Sequence, residues 1–242
     1  MGAIHTLVLH SGGLRSLVAT ALAVADAGAP AKVALLHLVD LRAHAAPGAA
    51  TRLEHARRQA EHFKIKRLIE LERPAVEPLG SDPERRTPRA TPSSMRDGHA
   101  LALAVAQALE LGAARVVWPC SFNADAALVA RATELAALSA HLAHADAGLA
   151  STAPTTTAAA AVATATEDLA VETPLAELTD RQVIEVGAHL DVPWKLAWSC
   201  VTPVNGEAGA CRACTGCRRR DAAFDAAGMV DPFFDPAGGR TA

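Results

Sequence analysis

Four of the five cysteines in this 242-residue chain are gathered in its last fifth. Ten residues separate Cys200 from Cys211, and Cys-x-x-Cys-x-x-Cys then runs through Cys214 to Cys217. Two-residue spacers let successive thiolates converge on one ion, and four soft thiolates suit a tetrahedral Zn2+. Four protein ligands leave no open coordination position, so such a site is structural rather than catalytic. An iron–sulfur cluster is the chemical rival, because it takes the same ligands. Free core cysteines or a redox pair fit the regular spacing less well.

A second constellation lies at the other end of the chain. His10-Ser11-Gly12-Gly13-Leu14-Arg15-Ser16 joins the apolar run Ile4–Leu9 to a helical stretch, Ser16–Ala27. Glycines at such a junction let the backbone approach a ligand closely. The free amides of the first helical turn then point at it, aided by the helix dipole. The hydroxyls of Ser11 and Ser16 add donors, a chemistry suited to phosphate or pyrophosphate. Gly-Gly after a strand also makes a plain tight turn, so two readings stand at this point.

The elements that must position these groups alternate. Ile4–Leu9, Val33–Val39, Leu68–Leu71 and Arg115–Trp118 read as strands, and Ser16–Ala27, Thr51–Phe63, Gly98–Leu111 and Ala124–His144 as helices. Gly28 and Gly112 stand where glycine ends a helix. That alternation implies a parallel sheet covered on both faces. Pro74–Pro92 reads as a long surface loop, and Ala147–Thr166 as a low-complexity Ala/Thr insertion. Thr179 and Gln182 fit a capping box ahead of Val183, Ile184 and Val186. Asp221–Ala227 reads as a last short helix, stopped by Gly228.

Half of the residues are hydrophobic but only 3% are aromatic, so the core must be built from Ala, Leu and Val. The formal net charge of -3 argues against a broad electrostatic grip on nucleic acid. No targeting segment or bilayer-spanning run is evident, which makes a cytoplasmic protein the expectation. A cysteine cluster in a reducing compartment reads as a metal site rather than a disulfide framework. The ten histidines form no metal-spaced pair. Cys120 reads as a buried structural thiol, since no histidine has a defined place beside it. Arg218-Arg219-Arg220 reads as a solvated charge run, or as one that places an arginine near phosphate. Trp194 and Trp198 read as packing for the cysteine module, with purine stacking as the lesser alternative.

Ser-Gly-Gly-Leu-x-Ser after a first strand resembles the PP-loop of ATP pyrophosphatases. Together with the terminal cysteines it resembles the 7-cyano-7-deazaguanine synthases, the QueC family. Glu172–Gly187, Val192–Cys200, Cys211–Phe224 and Ala227–Asp231 share that family's character. The resemblance implies an α/β fold. A parallel-sheet, Rossmann-like (adenine nucleotide alpha hydrolase-like) domain would span 1–170, with the insertion at about 147–167. A small helical, zinc-binding subdomain would span 171–242. The resemblance also implies a ligase of queuosine biosynthesis. ATP activates a 7-carboxy-7-deazaguanine-type acid as an acyl adenylate, ammonia gives the amide, and a second activation gives the nitrile. Ser11, Gly12, Gly13, Leu14 and Ser16 would hold the ATP with Mg2+. Arg15 and Arg96 would act at the phosphates and Asp125 at the substrate. Cys200, Cys211, Cys214 and Cys217 would hold structural zinc. The partners implied are the deazapurine acid, ammonia and a second copy in a homodimer.

The chain departs from the family pattern at four places. Arg15 replaces the loop Asp, Asp97 follows Arg96 in place of Asn, and Asp180 stands in place of Lys. An Ala-rich helix follows Asn123-Ala124-Asp125 in place of a Tyr- and Gly-rich segment. These departures keep a second hypothesis open: a catalytically degenerate paralogue serving as a binding or regulatory partner. A zinc-ribbon module for nucleic acid is disfavoured by the acidic balance and the lack of interleaved aromatics.

Overall fold

Continuous burial along β1 (Thr6–Leu9) sets the architecture of the computed structural model, which describes residues 3–40, 48–73, 93–150, 169–202 and 209–234. Side chains on a strand point to opposite faces in turn. Leu7 faces one core with Ala34, Leu36, Ala104, Ala108 and Val116. Val8 faces the other with Leu17, Val18, Leu35, Leu175, Ile184, Trp194 and Phe224. A sheet apolar on both faces has to be sandwiched between helices, as the sequence suggests.

The sheet has five strands in the order β3-β2-β1-β4-β5, all parallel. β2 is Val33–Asp40, β3 Arg67–Arg73, β4 Arg115–Val117 and β5 Ala170–Glu172. β1 pairs with both β2 and β4, Thr6 lying opposite Val33 and Arg115. The helices are α1 (Leu14–Ala27), α2 (Ala49–His62), α3 (Ser93–Leu111), α4 (Ala126–Ala150), α5 (Asp180–His189) and α6 (Thr215–Ala226). The chain therefore winds outward from β1 to β3, returns through α3, and continues from β4 on the other side. Ligands of open α/β sheets bind outside the carboxyl ends of the strands at this reversal, here between β1 and β4.

Several sequence expectations hold in detail. α1 ends at Gly28 in left-handed backbone, φ 65°. Thr179 and Gln182 form a reciprocal capping box on α5. Other boundaries move. α3 begins at Ser93 rather than Gly98, and α4 runs past His144 to Ala150. α6 begins at Thr215 rather than Asp221, because Cys214 caps it. The three arginines are therefore helical, and Arg220 is 2% exposed, not part of a solvated run. The expected loop Pro74–Pro92 and residues 151–166 of the Ala/Thr segment lie outside the described residues. Among the described residues no helix is long and apolar enough to cross a membrane.

Candidate functional site: a glycine loop braced by a thiolate cluster

Gly12 is the fixed point of the loop after β1. Its φ of +76° lies where side chains rarely go, and an added Cβ would stand 2.4 Å from the Arg52 carbonyl of α2. Its own carbonyl accepts from Trp198 N at 2.9 Å and from Gln59 Nε2 at 2.9 Å. Gln59 is fully buried and also donates to the Leu196 carbonyl, at 2.7 Å. The glycine loop is thus bolted to α2 and to the segment that leads into the cysteines. Ser11 Oγ accepts from Gly13 N at 3.4 Å and lies 3.3 Å from Ser16 Oγ. Ser16 Oγ donates to the Gly13 carbonyl at 3.0 Å. The hydroxyls of Ser11 and Ser16 thus meet beside Gly13 at the start of α1.

Two cavities meet at this loop. The larger, about 600 Å³, lies at the carboxyl ends of β1, β2 and β4 and is lined by His10, Ser11, His37, Asp97 and Trp118 among others. The smaller, about 290 Å³, lies between α1, α5 and α6 and is lined by Gly13, Asp180, Trp198, Gly216 and Arg219 among others. Ser11, Arg15 and Pro119 border both. Arg15 Nη2 donates to Asp180 Oδ1 at 3.1 Å, and Arg219 Nη2 donates to the same oxygen at 3.0 Å. Arg219 Nε holds the other carboxylate oxygen. Burial opposes ionisation of Asp180, but Arg219 and Arg15 outweigh it and hold the carboxyl below its ordinary range.

Arg96 is exposed on α3 and borders neither cavity; its neighbour Asp97 borders the larger one. Asp125 is exposed, and its Oδ1 accepts from the amides of Ala127 and Leu128 at 3.0 and 3.1 Å, capping α4. Cys120 borders the larger cavity as a buried thiol, which burial pushes up to about 12. From sequence Asp180 is marked only as a departure from the family pattern and Arg219 only as one of three arginines, and cavity-lining His37 carries no local signal.

His10 is 2% exposed, and its Nδ1 accepts from Gly12 N at 3.3 Å. Burial, and then the neighbouring His37, push its pKa down to about 3. The unfolded chain binds a proton near pH 6.5 that the native state refuses. Stability contributed by neutral His10 is therefore full above pH 6.5 and falls as the pH drops towards 3. At pH 5 the expected loss from this group is about 2 kcal/mol. Urea unfolding at pH 7 and pH 5 checks it: His10→Asn should lose less stability over that interval than the parent. An equal loss would place the acid sensitivity elsewhere.

The four terminal thiols converge. Sγ atoms of Cys200, Cys211, Cys214 and Cys217 all lie within 4.8 Å of one another, and Cys200 and Cys214 are 3.9 Å apart. Metal–sulfur bonds of about 2.3 Å in a tetrahedron give sulfur–sulfur edges of about 3.8 Å. The donor set therefore fits one mononuclear ion. A [4Fe–4S] cluster places each thiolate on a separate iron and needs a wider spread. Backbone amides point at the sulfurs: Cys211 N at Cys200, Cys214 N at Cys211, and Cys217 N and Val201 N at Cys214, all at 3.2–3.5 Å. These donors favour thiolates, the form that binds metal.

The cluster reaches the glycine loop through packing. Gly216 allows α6 to lie against the backbone of Ser199, where an added Cβ would stand 2.0 Å from the Ser199 carbonyl. Arg220 is buried and bidentate with Asp231, at 2.5 and 2.8 Å. It also donates to the carbonyls of Ala197 and Trp194 at 2.6 and 3.0 Å. Trp194 meets Phe224 edge-on at 5.4 Å, and Trp198 meets Phe233 at 5.8 Å. Both tryptophans thus pack the module, in line with their sequence reading.

Residues 150–228 match the family model described as "Queuosine biosynthesis protein QueC". The 7-cyano-7-deazaguanine synthase of Nostoc punctiforme is 41% identical over 67 residues, covering 28% of this chain and 29% of that one. The enzyme of that name from Trichormus variabilis is 45% identical over 60 residues, 25% of each chain. These matches span less than a third of each relative's length. A solved structure described as "U34-tRNA thiolase NcsA from Methanococcus maripaludis with its [4Fe-4S] cluster" aligns with 93% of this chain and 65% of its own. Its TM-score is 0.45 at 14% identity, too loose a superposition to bear on function. The matched segment wraps around the thiolate cluster and bonds to the glycine loop, and it is in this part that the chain is similar to the QueC family.

Proposed function

We propose that the chain is an ATP-dependent ligase that turns a 7-carboxy-7-deazaguanine-type acid into its amide and then its nitrile. The observation that carries this reading is the Ser11–Ser16 loop at the sheet's reversal point, opening on a cavity of about 600 Å³. In the first half-reaction the carboxylate attacks the α-phosphorus of ATP and pyrophosphate leaves. Ammonia then displaces AMP and forms the amide. A second ATP adenylates the amide oxygen, and loss of AMP with two protons leaves the nitrile.

In this reading the chain binds and orients rather than bonding covalently to substrate. The amides of Gly13 and Leu14 and the hydroxyl of Ser11 face the pyrophosphate, and buried Ser16, donating to the Gly13 carbonyl, holds the loop's shape. The strand ends around His10, His37 and Trp118 enclose the nucleoside and acid. His10, held neutral, serves as a fixed hydrogen-bonding wall rather than a charge. The four thiolates hold one Zn2+, which cross-links the fold and supplies no reaction chemistry.

The test is a reaction of the zinc-loaded protein with ATP, 7-carboxy-7-deazaguanine and ammonia, followed by mass spectrometry. AMP, the amide and then 7-cyano-7-deazaguanine are expected. ATP left intact would favour the second reading, a binding or regulatory paralogue. One observation speaks for that alternative: the loop cation Arg15 is already engaged by the chain's own Asp180.

A further inference from the structure

The resemblance implies Mg2+ beside the pyrophosphate, and the described residues do not fit it. Magnesium takes oxygen ligands, held by one or two carboxylates together with phosphate. Asp97 and Asp180 are the carboxylates that border the two cavities among the described residues. Asp180 is gripped by two guanidinium groups, and its amide donates to Asn123 Oδ1 at 2.8 Å. Asp97 lies 3.9 Å from Arg131 Nη2. A metal at the loop would have to displace arginines, and it would meet Arg15 in the place where a carboxylate would welcome it.

The same residues suit an anion. Arg15 and Arg219 carry two positive charges against the single negative charge of Asp180. Neighbouring Arg220 is already neutralised by Asp231. The excess positive charge sits at the mouth of the glycine loop, where the first-turn amides of α1 add to it. The side chains of Arg15 and Arg219 are 30% and 44% exposed, so both can be reached by a ligand. Guanidinium groups match phosphate oxygens in paired hydrogen bonds, with no metal needed to bridge them. α6 aims Arg219 into the smaller cavity along with Gly216, and Cys214 and Cys217 anchor that helix in the cluster.

We propose that the loop holds pyrophosphate, free or as part of ATP, through Arg15 and Arg219 without a divalent cation, and that Asp180 is the internal counterion the ligand displaces. This rests on the nucleotide-loop reading above and adds how the charge of the anion is met. Arg219 becomes a binding residue and Asp180 a competitor built into the site. Their positions explain why a cation in the loop and an acid 165 residues later occur in one chain.

The test is calorimetric titration of inorganic pyrophosphate into the zinc-loaded protein, in magnesium-free buffer and with magnesium in excess. The dissociation constant is expected to agree within about twofold between the two. Arg219→Gln should weaken magnesium-free binding at least tenfold in a protein that still folds, since Arg15 continues to pair with Asp180. Asp180→Asn should tighten binding several-fold, because the competing charge is gone. Binding seen only with magnesium, or parental affinity in Arg219→Gln, would overturn the proposal and leave the nucleotide loop standing. No binding in either buffer would overturn both.

Discussion

Replacing Cys214 with alanine is expected to empty the thiolate cluster and lower the melting temperature by roughly 8–16 °C. Zinc binding in small thiolate sites is worth roughly 10–16 kcal/mol, and in such sites it is folding energy. Here α6 also packs through Phe224 and Arg220, so only part of that is at stake. A third of it, about 4 kcal/mol, converts at roughly 2–4 °C per kcal/mol for a chain of this size. Cys214 is the most telling of the four ligands. Its sulfur accepts the amides of Val201 and Cys217, and it caps α6. Elemental analysis should find one zinc per chain in the parent and none in the variant. Full zinc content with an unchanged melting curve would remove the cluster from the account of stability.

The second large effect is expected at Asp231. Asp231→Ala should destabilise the fold by about 3–5 kcal/mol, the range for leaving one member of a buried ion pair without its partner. Arg220 is 2% exposed and lies among the rings of Phe224, Phe233 and Phe234, at 4.8–5.9 Å. The carbonyls of Trp194 and Ala197 would still accept from it, but neither carries a compensating charge. The double variant Arg220→Met, Asp231→Leu removes both charges and keeps apolar volume, so it should lose less than Asp231→Ala alone. Urea unfolding of the three proteins measures this. A double variant that loses as much as Asp231→Ala, or more, would mean that the unpaired buried charge is not what destabilises the fold.

Much of the fold can be read from short-range patterns, because those patterns are local physics. The glycine stop at Gly28, the capping box of Thr179 and Gln182, and the regular cysteine spacing each need only a few neighbouring residues. β5 was not legible in the same way. It has three residues, and its Ala170 is exposed, so no alternation marks it. Arg220 could not be told from Arg218 and Arg219 while the start of α6 was placed too late. Once the helix begins at Thr215, its turn directs one of three identical residues into the core. Arg15 and Asp180 read from sequence as two separate departures from the family pattern. In space they are one ion pair, reversed in sign at both positions relative to that pattern. Only tertiary structure joins residues 165 positions apart, and it turns two apparent defects into a single rearrangement.

Whether that rearranged loop still activates a carboxylate is the central question, and ATP–pyrophosphate exchange addresses it most directly. The zinc-loaded protein is incubated with ATP, labelled pyrophosphate and 7-carboxy-7-deazaguanine, without ammonia. Reversible formation of the acyl adenylate should carry label into ATP only when the acid is present. ATP that stays unlabelled with the acid present would contradict the ligase reading.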